Sequence, residues 1–411
     1  MSGLMKCIRA KWVWTTRGWV ENGAVLIDSE SGTTAAVGSF NELQKDSSLS
    51  FDSVADLDGA AIIPGLVNGH THLELSAIAP MAKPSSYFSW VEKVVEARSR
   101  VSEEYLYLAF EKAYKDAFDS GTQFLGDITN MPFEPAKDSF IVWGAPAGNV
   151  LHRHIFWELI GFNVDNIIDA LDWSQKRMFM EKKYTEKLSL VPHAVYSTSG
   201  KLIKQTFHWT RSRKRPFTIH VGEIEEENQF MKDGTGPCRD ILEFLGRFDS
   251  RWLPPGKSSV EYLDELGALD NGTLLVHCVH LTESDWDLVK KRGSCICFCP
   301  RSNNFLDVGK ADAQKAYLMQ IPVLIGTDSL ASNENLNLFE EALFLAEQNP
   351  SVEHNLILHS ITYAGLRFFG RMNKKVQYLA VDVDENVSVG ELSECVLNQG
   401  MRKRFRWIEL N

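Results

Sequence analysis

The sequence predicts an α/β protein: a (β/α)8 TIM barrel carrying a small β-sandwich domain built from both chain termini. Three observations predict it. Eight short apolar runs recur between about residues 61 and 330, alternating with helical stretches. Strand-like segments bounded by turns occupy both ends of the chain. Histidines and carboxylates gather at the ends of the apolar runs, where barrel chemistry sits.

The terminal segments come first. Residues 6–63 contain KCIRAKWVWT, GAVLIDSESG, TTAAVGSF and VADLDGAAIIP, and beyond 376 follow VQYLAVDVD, ELSECVLNQG and RFRWIEL. None shows helical periodicity long enough for its own α/β unit. Residues 1–63 with 376–411 are therefore expected to form one small β domain, and 64–375 the barrel. The eight expected barrel strands are AIIPGLVNGH (61–70), TQFLGDITN (122–130), NVLHRHIFWELIGF (149–162), KLSLVPHAVYS (187–197), PFTIHVGE (216–223), GTLLVHCVHL (272–281), SCICFCPRSN (294–303) and PVLIGTDSL (322–330).

The 411 residues are 44% apolar and 24% charged, enough to bury a large core without staples. That excludes intrinsic disorder and a disulfide-dense miniprotein. A net charge of −11 argues against nucleic acid and anionic membranes as partners. The basic run Arg211, Arg213, Lys214, Arg215 reads as a solvated loop. The start MSGLMKCIRAKWVW lacks a signal-peptide core, and no apolar run reaches the roughly 18 residues of a membrane span. Cys295, Cys297 and Cys299 alternate along one expected strand without CxxC spacing, so they read as small buried hydrophobes in a reducing cytoplasm. The expected partner is a small molecule. The oligomeric state stays open, a homodimer included.

Eight of the 11 histidines fall on the expected strands or, for His72, two residues past the end of one. In NGHTHLE, His70 and His72 stand at i and i+2, so both imidazoles share one face and can meet one metal ion. His220 ends the fifth strand. Glu223 follows it by three residues and can curl back as a proton carrier, a role that needs a raised pKa in a dry pocket. Glu225, Glu226 and Glu227 read as a solvated helix start. His277 and His280 compete to orient a water, with the other holding a ligand by hydrogen bond. Asp328, in IGTDS, can ligate a metal or simply cap a helix. His152 and His154 form a second same-face pair at the expected mouth, in a polar network or touching substrate. Asp127 reads as structural or as holding a metal ligand by hydrogen bond, Phe88 and Trp90 as loop packing or pocket walls. Gly234, Gly236 and Pro237 read as a plain turn.

PGLVNGHTHLE, PHAVYSTS, IHVGE, VHCVHL, CPRSNN and IGTDSLASN occur in that order. The set resembles the amidohydrolase superfamily, in its cytosine deaminase-like and chlorohydrolase-like branch. The resemblance implies one divalent metal on His70, His72, His220 and Asp328, with zinc first and iron or manganese as alternatives. It implies Glu223 as proton shuttle, His277 and Asp328 handling the attacking water, and His193 at the substrate. The fourth strand offers no lysine for a bridging carbamate, which favours one metal over two. FSWVEKVVEARSR and HVGEIEEENQFMKDGTGPCRDILEFL are similar to segments of the aminofutalosine deaminases of the futalosine route to menaquinone. Relatives usually read AES where this chain has Gly222-Glu223-Ile224. The implied reaction is hydrolytic deamination of an aminopurine nucleoside, with another C–N or C–Cl hydrolysis, or a silent scaffold, as alternatives.

Overall fold

Strands from the two ends of the chain meet in one sheet. The computed structural model describes residues 5–46, 48–130, 150–181, 188–372 and 374–409. Positions 149 and 187, where the third and fourth strands were expected to begin, lie outside the described residues, as do the first four and last two. The N-terminal part holds β1 (Met5–Thr15), β2 (Gly18–Asp28), β3 (Thr34–Ser39), β4 (Phe51–Asp56) and β5 (Ala60–Pro64). β1 and β2 pair antiparallel, with Val13 opposite Val20 and Trp14 opposite Trp19, whose two indole rings lie 5.0 Å apart.

Eight parallel strands follow: β6 (Leu66–Thr71), β7 (Thr122–Thr129), β8 (His152–Leu159), β9 (Leu188–Pro192), β10 (Phe217–Val221), β11 (Thr273–His277), β12 (Cys295–Phe298) and β13 (Val323–Ile325). They form two four-stranded sheets, β6-β7-β8-β9 and β10-β11-β12-β13. Single parallel bridges link the sheets at both seams, Ala194 with His220 and Thr71 with Asp328. Apart from the start of β8, every residue of these strands is buried, which is why they read as near-continuous apolar runs. At the second seam the Asp328 amide donates to the His70 carbonyl at 3.1 Å. Gly326 permits that approach, since a Cβ there would lie 2.6 Å from the His70 carbonyl oxygen.

The C-terminal part returns to the first sheet as β14 (Tyr378–Asp382) and β15 (Phe405–Trp407). β14 pairs antiparallel with β5, Leu379 opposite Ile63, giving one seven-stranded sheet ordered β15-β14-β5-β1-β2-β3 with β4 also on β1. The expected strand ELSECVLNQG is instead part of a helix, Leu392–Met401. Its buried residues Leu392, Val396, Leu397 and Gly400 recur at helical spacing. Gly400 sits where a Cβ would collide with the Phe339 ring of the helix Leu338–Gln348.

Two more expectations change. β8 begins at His152, so His152 and His154 lie at the N-terminal end of the strand, opposite the mouth. Glu227 opens the helix Glu225–Asp233 as expected but is fully buried, its Oε1 accepting the Gly222 amide at 2.9 Å. Cys295, Cys297 and Cys299 are buried in one apolar cluster with Leu274, Val276 and Leu324. Among the described residues no helix is long and apolar enough to cross a membrane.

Candidate active site

The C-terminal ends of the parallel strands bring four nitrogen and oxygen donors together. His70 and His72 come from the end of β6, His220 from β10, and Asp328 from just past β13. His70 Nε2 lies 3.1 Å from His72 Nε2 and 3.2 Å from His220 Nε2. Asp328 Oδ1 lies 3.6 Å from both His70 Nε2 and His72 Nε2. The His220 Nδ1 donates to the His193 carbonyl at 2.8 Å, which leaves Nε2 as a bare lone pair aimed at the cluster. Lone pairs this close repel unless a cation lies between them. Donors on a tetrahedral shell with bonds of about 2.0–2.1 Å stand roughly 3.3 Å apart. The residues therefore fit one divalent ion.

The electrostatics agree. Burial keeps the imidazoles neutral, pushing His72 down to about 3, with His70 adding to the effect. Burial pushes the Asp328 carboxyl up, but the neighbouring His70, His277 and His72 hold it well below the usual carboxylate range. Ser302 Oγ donates to Asp328 Oδ2 at 2.6 Å. The backbone at Asp328 (φ 55°) and at His277 (φ 71°) is left-handed without glycine, strain of the kind found at functional sites.

Beside the donors stands a second group. Glu223 Oε1 lies 3.6 Å from His277 Nε2. His277 Nδ1 bonds the Asn303 Oδ1 at 2.8 Å, so the hydrogen sits on Nδ1 and Nε2 offers a lone pair. Tyr87 donates to Glu223 Oε2 at 2.9 Å, and its hydroxyl also lies 3.1 Å from that of Tyr196. Burial pushes the Glu223 carboxyl above its ordinary value, against the pull of His277. His280 faces away, bonding the Val308 carbonyl at 2.6 Å.

A cavity of about 460 Å³ opens over these groups. His72, His193, His220, Glu223, His277 and Asp328 line it. Phe88 and Trp90, on the helix Tyr87–Arg100, line it too, and the Trp90 indole N–H is held by the Ala331 carbonyl at 3.1 Å. His193 is kept neutral by burial, its pKa pushed down to about 4, and its Nδ1 lies 2.7 Å from Ser197 Oγ.

The amidohydrolase family's sequence profile matches residues 61–375. The chain belongs to the amidohydrolase family. As an amidohydrolase it is a hydrolase acting on carbon–nitrogen bonds. It is 30% identical to an aminodeoxyfutalosine deaminase of Deinococcus radiodurans, over 85% of this chain and 81% of that protein. It is 27% identical to a 5-methylthioadenosine/S-adenosylhomocysteine deaminase of Thermoanaerobacter pseudethanolicus, over 82% and 72%. In fold it resembles a zinc-bound adenosine deaminase of Xanthomonas campestris, with a TM-score of 0.74 at 19% identity over 100% and 93% of the two chains.

Sequence reasoning missed several groups that this amidohydrolase places at the site. Tyr87, Tyr196, Ser302 and Asn303 reach the functional side chains from helices and loops far along the chain. Glu158, at the end of β8, lines the cavity where His152 and His154 were expected. Burial, then Glu74 and Asp328, push its carboxyl up to about 8. Glu74 also lines the cavity, its Oε2 accepting from Thr129 Oγ1 at 2.6 Å and the Asn130 amide at 3.1 Å. Asp127 is structural: it pairs with Arg153 at 2.6 Å and accepts the amide of Leu73, next to His72. The Gly234–Pro237 turn contributes no lining residue.

Proposed function

We propose that this amidohydrolase is a metal-dependent deaminase of adenosine-type nucleosides, with aminodeoxyfutalosine, on a route to menaquinone, as its substrate. The observation that carries the reading is the pairing of a four-donor cluster with a buried, hydrogen-bonded carboxyl group 3.6 Å from His277. Names of relatives support the nucleoside class, and the zinc in the Xanthomonas campestris neighbour supports zinc here. In this reading the two parallel sheets are halves of one closed eight-stranded barrel, residues 64–375. The terminal sheet curls into a small sandwich domain from residues 1–63 and 376–411.

His70, His72, His220 and Asp328 hold the ion, which when bound supplies a water acidified towards a pKa of about 7. His277 Nε2 accepts a hydrogen bond from the attacking water and keeps its lone pair directed at the substrate carbon. Glu223 takes a proton from that water and delivers it to a ring nitrogen, which makes the adjacent carbon electrophilic. It then takes the remaining proton of the hydroxyl added to that carbon and delivers it to the amine, so the C–N bond breaks, a carbonyl forms and ammonia leaves. Tyr87 fixes the Glu223 carboxyl for both transfers. The cavity walls exclude water and set the ring plane. An apolar wall of Val91, Val94, Ile241 and Leu242, with Arg98 and Arg247 also lining the cavity, suits a nucleoside whose substituent is apolar and negatively charged.

Ammonia release from aminodeoxyfutalosine, 5-methylthioadenosine, S-adenosylhomocysteine, 5′-deoxyadenosine and guanine tests the reading, alongside metal analysis. Highest kcat/KM on aminodeoxyfutalosine, with one metal per chain, is expected. Release from guanine but from no nucleoside would overturn the nucleoside assignment. Two metals per chain would overturn the mononuclear site.

A further inference from the structure

One buried carboxyl group in the cavity has no task in the chemistry just described. Glu158 ends β8, and its residue is 7% exposed. Its Oε1 is buried and has no hydrogen-bond partner. His220 Nδ1, 3.7 Å away, already donates to the His193 carbonyl and has no hydrogen left to give. A buried acceptor left bare costs about 1–3 kcal/mol, so such atoms are either paired or wait for a ligand.

Its surroundings are braced. The Asn130 side chain donates to the Glu158 carbonyl at 2.9 Å, and the Asn130 amide and Thr129 hydroxyl both donate to Glu74. Glu74 and Asn130 lie just past β6 and β7 and Glu158 is near the end of β8, three consecutive strands, and all line the cavity. Of the reacting groups, Glu223 lies just past β10 and His277 ends β11, both in the other sheet. A substrate with its reacting carbon at Glu223 and His277 shares the cavity with this wall, where its other substituents can meet hydrogen-bond acceptors. In a nucleoside the neutral donors away from the base are the sugar hydroxyls.

We propose that Glu158 is the sugar-recognition residue, its Oε1 accepting a ribose hydroxyl and separating ribonucleosides from their deoxy analogues. This rests on the nucleoside-deaminase reading. A site built around a substrate hydroxyl rejects the analogue that lacks it, because the buried acceptor is then left bare.

The test compares kcat/KM for adenosine, 2′-deoxyadenosine, 3′-deoxyadenosine and 2′-O-methyladenosine. In the unaltered enzyme, loss of the recognised hydroxyl should cost roughly 10–100-fold. Methylation of a recognised 2′-hydroxyl should cost as much as its removal, because the methyl ether cannot donate. In Glu158→Met, similar in length but without an acceptor, the gap between adenosine and the deoxy analogue should collapse to a few-fold, through loss on adenosine. Glu158→Ala, with metal content measured in parallel, gives a second variant, and its gap should collapse likewise. A gap that survives in either folded variant overturns the proposal, and so does an unaltered enzyme that turns over all four nucleosides equally well. If no nucleoside is deaminated by the unaltered enzyme, the deaminase reading itself fails.

Discussion

Two His-x-His pairs stand in this chain, at opposite ends of two parallel strands of one sheet. His70 and His72 end β6 and His152 and His154 begin β8. The first pair converges with His220 and Asp328, nitrogen against nitrogen at 3.1–3.2 Å, with little else to bond. In the second pair His154 Nε2 lies 2.8 Å from Ser189 Oγ, which itself donates to the Pro216 carbonyl, so that nitrogen serves as a donor in a satisfied chain. Its ring packs edge-on against Phe156 at 4.8 Å. Identical spacing thus gives a set of convergent lone pairs at one end and ordinary packing at the other. The difference lies in what the neighbouring strands present, and in the direction of the strand.

The sharpest break of this comparison is by deletion. His70→Ala should abolish both metal binding and ammonia release. His152→Gln with His154→Gln should keep the metal and turnover within about twofold, since surface and packing changes away from the site act mainly on stability. Metal analysis and an ammonia assay on both proteins decide it. Metal retention in His70→Ala would place the ion elsewhere.

The next effect separates two carboxyl groups at the same end. Glu223→Gln should keep the metal and lose about 10²–10⁴-fold in kcat, because the amide fits but cannot carry a proton. Asp328→Asn should lose metal as well as rate. Near-normal turnover in metal-loaded Glu223→Gln would remove the shuttle from Glu223.

Much of the donor cluster was legible because its signals are local. An i, i+2 histidine pair after an apolar run, a histidine ending another run and an aspartate in GTD are each weak alone, and their occurrence in the order that resembles the amidohydrolases joined them into one ligand set. What was not legible depends on where strands start and on distant partners. The run NVLHRHIFWELIGF does not say which end points to the mouth, so His152 and His154 were placed there and Glu158, four residues beyond His154, was not singled out. Tyr87 lies 136 residues from Glu223, and no local pattern links them. Glu227 looked like a solvated helix start, but the loop carrying Glu223 folds back onto it. In the tail, the spacing of Leu392, Val396, Leu397 and Gly400 was the helical signal available, and the flanking strand-like segments masked it.

A smaller effect tests the support behind Glu223. Tyr87→Phe removes a hydrogen bond to its carboxyl group, worth about 1.5–3 kcal/mol when the acceptor is charged. Such a bond favours the ionised form and lowers the carboxyl pKa. Its removal should raise that pKa, so the acidic limb of the kcat/KM–pH profile should move to higher pH. The rate at the optimum should fall roughly tenfold or more, with the loss in kcat rather than KM. A profile with an unmoved acidic limb would show that Tyr87 only fills space.

The smallest effect belongs to the other end of the strands and is read in stability. Burial pushes the His154 pKa down to about 3 and that of His152 down to about 4, from an ordinary value of 6.5. Both imidazoles are therefore neutral in the folded protein at neutral pH. The unfolded chain binds protons at these positions once the pH falls below about 6.5, while the folded chain does not until about 3–4. The unfolded state thus holds more protons across that window, and stability falls as pH falls through it. His154→Gln should lack its share of this slope while keeping an amide able to reach Ser189. The difference in Tm, variant minus unaltered protein, should therefore rise as the pH is lowered from 8 to 5, by roughly 1–3 °C, with metal content unchanged at pH 8. A difference that stays flat with pH would mean that His154 is not buried in its neutral form. A difference that falls would mean that the folded protein holds His154 as a cation, with a carboxylate partner that the fold does not provide at that position.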